Sequence, residues 1–236
     1  MQLPPLTNGT IHRRYKRFLA DVELEDGQLI TAHCPNTGSM RTCWEAGAQV
    51  QLSHSDNPKR KLAWTLERVD MGSGWIGVHT GRTNPVIGEG LSANRIAAVA
   101  GYPNIRREVT SQVRELPRSR FDFLLTNGVE RDAWVEVKNV TLWEGSCLQF
   151  PDAVTQRGRK HLEVLAGLSR EGYRAIMIYA LNRPEGDCFT PADEVDTAYG
   201  ATLRKVVWEA GVEVLAVRIE HGVQSMQVGG MVEVVL

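Results

Sequence analysis

The chain has no apolar run long enough to cross a bilayer, and its first ten residues are polar and proline-containing, unlike a signal peptide. Neither sign of charge is in excess. Twenty-seven Lys and Arg against 28 Asp and Glu leave a formal charge of −1, so a polyanion-binding surface has to be a local patch. Cysteine is scarce: Cys34, Cys43, Cys147 and Cys188 have no regular spacing and outline neither a zinc site nor a disulfide framework. Free buried thiols in a cytoplasmic protein are the expectation. Internal repeats, low-complexity tracts and heptad stripes are also missing. Gly72-Ser73-Gly74 lacks the strand–loop–helix setting of a nucleotide fingerprint. What is present is 236 residues with 42% apolar content, enough for one large domain or two modest ones.

Strand signals crowd the first third. Phe18 to Glu25 alternates apolar and polar residues, Asp26-Gly27 supplies a turn, and Gln28 to His33 reads as the partner strand. Ala48 to Ser53, Leu62 to Val69 and Trp75 to His79 complete five short strands. That number fits a small barrel of the oligonucleotide-binding kind, as it does a generic β domain. The character then changes. Asn84 to Gly101 reads as a linker with a short helix, and Asn104 to Val113 carries Glu108 and the basic pair Arg106 and Arg107. Strands are expected at Phe121 to Leu125, Ala133 to Val137, Arg174 to Ala180 and Val212 to Ile219. Helices are expected over Asp152 to Ser169, capped by Asp152, and over Asp193 to Glu209, ended near Gly211. The fold class is therefore α+β in two domains, a barrel over residues 1–83 and an α/β domain with a mixed sheet over residues 84–236.

Residues 120–142 read "RFDFLLTNGVERDAWVEVKNVTL". Two runs that look like buried strands contain Asp122 in one and Glu136 and Lys138 in the other. Strand periodicity puts Phe121 and Phe123 on one face and Asp122 on the other, with Glu136 and Lys138 sharing a face. If the strands are neighbours, the three polar groups meet. Charges in buried strands are costly unless paired or metal-bound. A salt bridge from Lys138 to either carboxylate accounts for them. So does a hard divalent ion held by Asp122, Glu136 and the Val137 carbonyl, with Lys138 as a mobile point charge near a phosphate.

Several segments resemble, in the same order, the sugar fermentation stimulation protein A family. They are "RRYKRFLADV" (13–22), "HCPNTGSM" (33–40), "SDNPKRK" (55–61), "SRFDF" (119–123), "EVKNVTL" (136–142) and "FPDAVTQRGRKHLEVL" (150–165). The resemblance implies an oligonucleotide-binding barrel joined to a restriction-nuclease-like domain of the PD-(D/E)xK type. It implies DNA binding linked to regulation of sugar use, including maltose, and a magnesium or manganese site. The nuclease pattern maps onto Asp122, Glu136 and Lys138 as catalytic residues. Glu108 matches an acidic residue on a preceding helix. Phe121 stands where such motifs often carry proline.

Candidate nucleic-acid contacts follow from charge and turn chemistry. Arg13, Arg14, Lys16 and Arg17 surround Tyr15, mixing charge for phosphates with a ring for a base, or simply forming a solvated edge. Asn36 and Thr37 lie in a polar turn that can face an anion, or that needs a positive φ at Gly38. Lys59 and Arg60 supply a second basic turn. Arg157 and Lys160 sit early in an expected helix, near His161, as phosphate contacts or as a solvated face. DNA is the expected partner and RNA an alternative polynucleotide. A homodimer is allowed by general frequency alone.

Overall fold

The structure is a computed structural model that describes residues 1–112 and 116–236. Six strands form the first sheet: β1 (Leu6–Tyr15), β2 (Leu19–Leu24), β3 (Leu29–His33), β4 (Gln49–His54), β5 (Trp64–Asp70) and β6 (Trp75–Gly77). Their order is β3-β2-β1-β4-β5-β6, and a parallel His33–Thr65 pairing between β3 and β5 closes the first five into a barrel. The alternation expected of β2 is present: Ala20, Val22 and Leu24 point inward, onto Ile11, Val50, Leu52, Leu66 and Val69. The five-stranded barrel is therefore real, but its membership shifts by one. The expected fifth strand is β6, a short strand outside the closure, while β1 takes its place.

β1 covers the polar start of the chain and part of its basic run, where few side chains are apolar. It still pairs with β2 on one side and β4 on the other. Gly9 lies so close to β2 that an added Cβ would sit 2.7 Å from Val22 Cγ1 and 2.8 Å from the Glu23 carbonyl oxygen. Main-chain pairing on both edges, rather than a hydrophobic pattern, makes this strand.

The remaining elements are α1 (Thr83–Ser92), β7 (Asn104–Ser111), β8 (Ser119–Thr126), β9 (Ala133–Val140), β10 (Leu142–Glu144), β11 (Cys147–Phe150), α2 (Gln156–Arg170), β12 (Arg174–Leu181), β13 (Cys188–Pro191), α3 (Asp193–Ala210), β14 (Glu213–His221) and β15 (Met226–Val234). They build a mixed sheet ordered β10-β11-β13-β15-β14-β12-β9-β8-β7, with β9, β12 and β14 parallel at its centre. One core lies beneath α2 and α3, where Leu162, Leu165 and Leu203 meet Trp134 and Met177. A second lies beneath α1, where Val86 and Ile87 meet Val135 and Ile178. The first residues of the chain belong to this second core. Leu3 is 4% exposed there, its amide donates to the Gln224 carbonyl at 3.0 Å, and the Met1 ammonium reaches Glu89 at 2.6 Å. The barrel is thus anchored by its leading segment as well as by the chain that follows it.

Three expectations are corrected. Cys147 and Cys188 form a disulfide where β11 and β13 run parallel in register; 41 residues of separation hid that adjacency. Cys34 and Cys43 are the free buried pair. Helix α2 is capped by Thr155, whose hydroxyl accepts from the Gly158 amide at 3.0 Å, so Asp152 lies before the cap. Glu108 is on strand β7 and not on a helix. That strand ends at Ser111, and Val113 lies outside the described residues.

Candidate nucleic-acid interface and metal centre

The β8–β9 ladder pairs Leu125, Leu124 and Phe123 with Ala133, Trp134 and Val135, and its register stops before Asp122. There the Asp122 side chain takes over. Its Oδ2 accepts the Val137 amide at 2.7 Å and its Oδ1 accepts Asn84 Nδ2 at 2.6 Å. On the other flank Glu108, which would face Asp122 from β7, has φ +54° and is skipped in the pairing. The regular pleat is broken on both sides of Asp122. Phe121 and Phe123 therefore do not share a face: Phe121 joins the core beneath α2 and α3, Phe123 the core beneath α1. Val135 and Val137 do share one.

Glu136 is 4% exposed and lies under Lys138. Its Oε1 accepts Lys138 Nζ at 2.6 Å and is also hydrogen-bonded to His161 Nδ1 from α2. Its Oε2 is buried without a hydrogen-bond partner among the described residues. Such an atom loses its water and gains nothing in return until a donor or cation meets it. The two carboxylates are poised oppositely. Burial, then the charge of Glu136, pushes the Asp122 pKa up, against the Val137 amide, Asn84 and Lys138. Burial also acts to raise Glu136, but His161 and Lys138 overcome it and hold that carboxyl below its ordinary range. The salt bridge expected as one account of these residues is present, and it uses only one oxygen.

Asp122, Val137 and Lys138 open into a cavity of about 790 Å³ between the two sheets, and Glu136 stands behind them. The opposite wall comes from the barrel: the loop Asn36 to Gly38, and Thr80 and Gly81 beyond β6. Asp152 to Thr155 close one end. Gly38 does not have a positive φ; Met40 does, at +53°. A Cβ at Gly38 would sit 2.2 Å from Asp152 Oδ2, so a larger residue would have to displace that carboxylate. That same oxygen meets Ser39 Oγ and the Met40 amide, both at 3.4 Å, so these groups of the loop already face a carboxylate. Asn36 is buried and folds back onto the Gly38 amide at 2.9 Å, whereas Thr37 is exposed at the cavity.

The other predicted contacts separate into occupied and free groups. Arg13 is paired with Asp21 at 2.6 Å and lies over the Tyr15 ring, whose hydroxyl donates to the same Asp21 at 3.1 Å. Arg14 donates to the carbonyls of Arg17, Asn36, Gly38 and Ser39. It shapes the cavity loop and has little left for a phosphate. Lys16 and Arg17 are exposed, at φ +48° and +65°. Lys59 and Arg60 are exposed on the β4–β5 loop, and Arg157 and Lys160 on the first turns of α2. Glu108 lines the cavity but pairs with Arg120 at 3.1 Å. His161 does not face the surface. It is 5% exposed and engaged with Glu136. Among the described residues no group of three or more His, Cys, Asp or Glu is arranged to hold a metal ion, and no helix is long and apolar enough to cross a membrane.

Asn84 is a site residue that spacing along the chain does not point to. Its only signal is a polar pair, Thr83-Asn84, ahead of Pro85 in the first turn of a helix. Thr83 also contributes, donating to Asn139 Oδ1 at 2.9 Å, where Asn182 Nδ2 meets it at the same distance.

Comparison with known proteins gives a consistent picture. Residues 13–78 match the SfsA N-terminal OB domain, and residues 81–225 match the Sugar fermentation stimulation protein RE domain. Curated relatives include the Sugar fermentation stimulation protein homolog of Geobacter sulfurreducens, 50% identical over 219 residues, which are 92% of this chain and 91% of that one. The homolog of Gloeobacter violaceus is 46% identical over 235 residues, 100% of this chain and 98% of that one. A solved structure described as "The structure of Pyrococcus Furiosus SfsA in complex with Ca2+" superimposes with a TM-score of 0.85 at 24% identity, covering 100% of this chain and 98% of that one. The likeness is one of fold.

Proposed function

Because the chain belongs to the sugar fermentation stimulation protein family, we propose that it is a DNA-binding protein that acts in the regulation of sugar use. Its interdomain cavity receives the phosphate backbone. The observation that carries this reading is the cavity itself: one wall is a loop of an OB-type barrel and the other holds Lys138 and Asp122 at a break in the sheet. Exposed Arg157 and Lys160 stand on α2, just beyond the wall residue Thr155, as further partners for phosphate. Contacts of this type give affinity and position with little sequence information.

A hard divalent ion, magnesium or manganese, fits the same place. The donors are oxygens, Glu136 Oε2 is buried and lacks a partner, and Asp122 opens on the cavity beside it. Asp122, Glu136 and the Val137 carbonyl would hold it, with waters completing the shell. The Pyrococcus furiosus neighbour was solved with Ca2+, another oxygen-seeking cation. When bound, such an ion polarises a phosphate oxygen and neutralises charge on it. Asn84 and the Val137 amide fix Asp122, His161 and Lys138 fix Glu136 Oε1, and Lys138 presents its ammonium to the cavity.

Binding is the main reading and phosphodiester hydrolysis the second, favoured by the placement of two carboxylates and a lysine around one site. Fluorescence anisotropy with labelled single- and double-stranded oligodeoxynucleotides at low salt tests the first. Binding is expected, and its absence on every substrate defeats the proposal. Incubation of the same panel, and of RNA, with Mg2+ or Mn2+ tests the second. Intact substrate throughout removes hydrolysis and leaves the binding role; metal-dependent products that vanish in Glu136→Gln establish it.

A further inference from the structure

Two surfaces of the barrel compete for a DNA strand that reaches the interdomain cavity. One is the outer face of β1, β2 and β3, which has a shallow depression of its own. Its cation is spent: Arg13 is tied to Asp21 at 2.6 Å, and the His12 ring is hydrogen-bonded to Glu23 at 2.9 Å. Asp21 also accepts the hydroxyls of Tyr15 and Thr31, at 3.1 and 2.8 Å. A phosphate there would meet two carboxylates as closely as any cation.

The other surface is the end of the barrel where β3, β4 and β5 come together. A cavity of about 350 Å³ lies there, lined by His33, His54, Arg60 and His79. Its carboxylate, Glu67, is neutralised: Arg82 binds both oxygens at 2.6 and 3.0 Å, and Ser53 donates to Oε1 at 2.7 Å. The β4–β5 loop beside it carries Lys59, Arg60 and Lys61, all exposed and without an ion-pair partner among the described residues, although Arg60 donates to Thr65 Oγ1 at 2.6 Å. Its one acid, Asp56, is fully exposed and pairs with His54 at 3.1 Å. His54 stands edge-on to the half-buried Trp64 ring, with centroids 4.7 Å apart. Rings beside unpaired cations are what an unstacked nucleotide requires.

The two cavities are neighbours. Pro35 lines the barrel-end cavity and Asn36 the interdomain one; Arg82 and His79 line the first, Thr80 and Gly81 the second. Between them stands the hydrogen bond from Thr80 Oγ1 to the Pro35 carbonyl, at 2.8 Å. We infer that a single DNA strand passing through the interdomain cavity continues over the Pro35–Thr80 bridge into the barrel-end cavity, held there by the Lys59–Lys61 loop and His54, and does not cross the β1–β3 face. A cavity of about 350 Å³ falls in the size range of small-ligand pockets, which suits a single splayed nucleotide. The inference rests on the DNA-binding reading above.

The test compares two surface variants of the full chain with the wild type, using a fluorescein-labelled oligothymidine about twelve nucleotides long. One variant is Lys59→Ala/Arg60→Ala/Lys61→Ala. The other is His12→Ala/Leu29→Ala on the β1–β3 face. The triple variant is expected to weaken binding about tenfold. The slope of log affinity against log salt should become shallower by about 0.7 for each phosphate that is no longer neutralised. The double variant is expected to match the wild type in both respects. Equal or reversed effects overturn the strand path. Wild-type binding that the triple variant retains also refutes it while leaving DNA binding intact. A wild type that binds no oligonucleotide removes both.

Discussion

The barrel and the α/β sheet each bury a glutamate against a cation, and the two differ in whether both carboxylate oxygens find a donor. Glu67 in β5 is 3% exposed, Glu136 in β9 is 4% exposed. Arg82 and Ser53 satisfy both oxygens of Glu67. Lys138 and His161 converge on one oxygen of Glu136 and leave the other bare. A planar guanidinium forks over a carboxylate, whereas an ammonium is a point charge that engages one corner. The first arrangement is complete as it stands. The second leaves one buried oxygen without a donor, which is the feature the proposed metal site rests on.

The largest effect expected from this contrast falls on the barrel. Glu67→Ala strips the partner from a largely buried guanidinium and should cost about 3 kcal/mol in a urea titration, with no change in response to Mn2+. Glu136→Gln should cost less, about 2 kcal/mol, because Lys138 can turn toward water. On the proposed metal site the wild type is expected to gain melting temperature with Mn2+, and this variant to lose that gain. If the two variants change places in either measurement, the distinction between the two glutamates is wrong. Thr155→Ala removes the cap of the helix that carries His161 and should cost about 1 kcal/mol.

Acid separates the carboxylates more finely. Glu67 and Glu136 both titrate below the ordinary range: burial opposes this, but Arg82 and Ser53 in one case, His161 and Lys138 in the other, prevail. Their stabilisation is present above the ordinary glutamate pKa and is lost as pH falls through the folded-state values. Asp122 is the reverse case, raised by burial and by Glu136. It weakens the fold as pH rises through the window between its ordinary and raised values. Asp122→Asn should therefore gain a small amount of stability at neutral pH and none at the acid end of that window. A gain that is independent of pH would show that the asparagine acts through packing instead.

Local chemistry is legible wherever the chain declares it locally. The alternation of Ala20, Val22 and Leu24, the turn at Gly27, and the end of α3 at Gly211, which has φ +66°, all follow from neighbours in the sequence. Glu136 and Lys138 can be paired because a period of two puts them on one face. The same rule fails at Phe121 and Phe123, where a side chain replaces the main chain in the ladder and the pleat loses its phase. β1 escapes a pattern-based reading because its strand character comes from two neighbours' backbones. The family resemblance puts Glu108 on a helix, yet it stands at an irregular point of β7.

The order of residues settled which side chains carry charge, where α2 and α3 run, and that Glu136 and Lys138 share a face. It did so because those properties depend on spacing along the chain. Only the folded arrangement decided that Cys147 meets Cys188, that Arg14 is spent on carbonyls, that His161 and Asn84 clamp the two carboxylates, and that Glu136 keeps one oxygen free. Each of those outcomes depends on groups brought together from distant parts of the chain, and the energy of a buried polar atom is set by whichever groups arrive beside it.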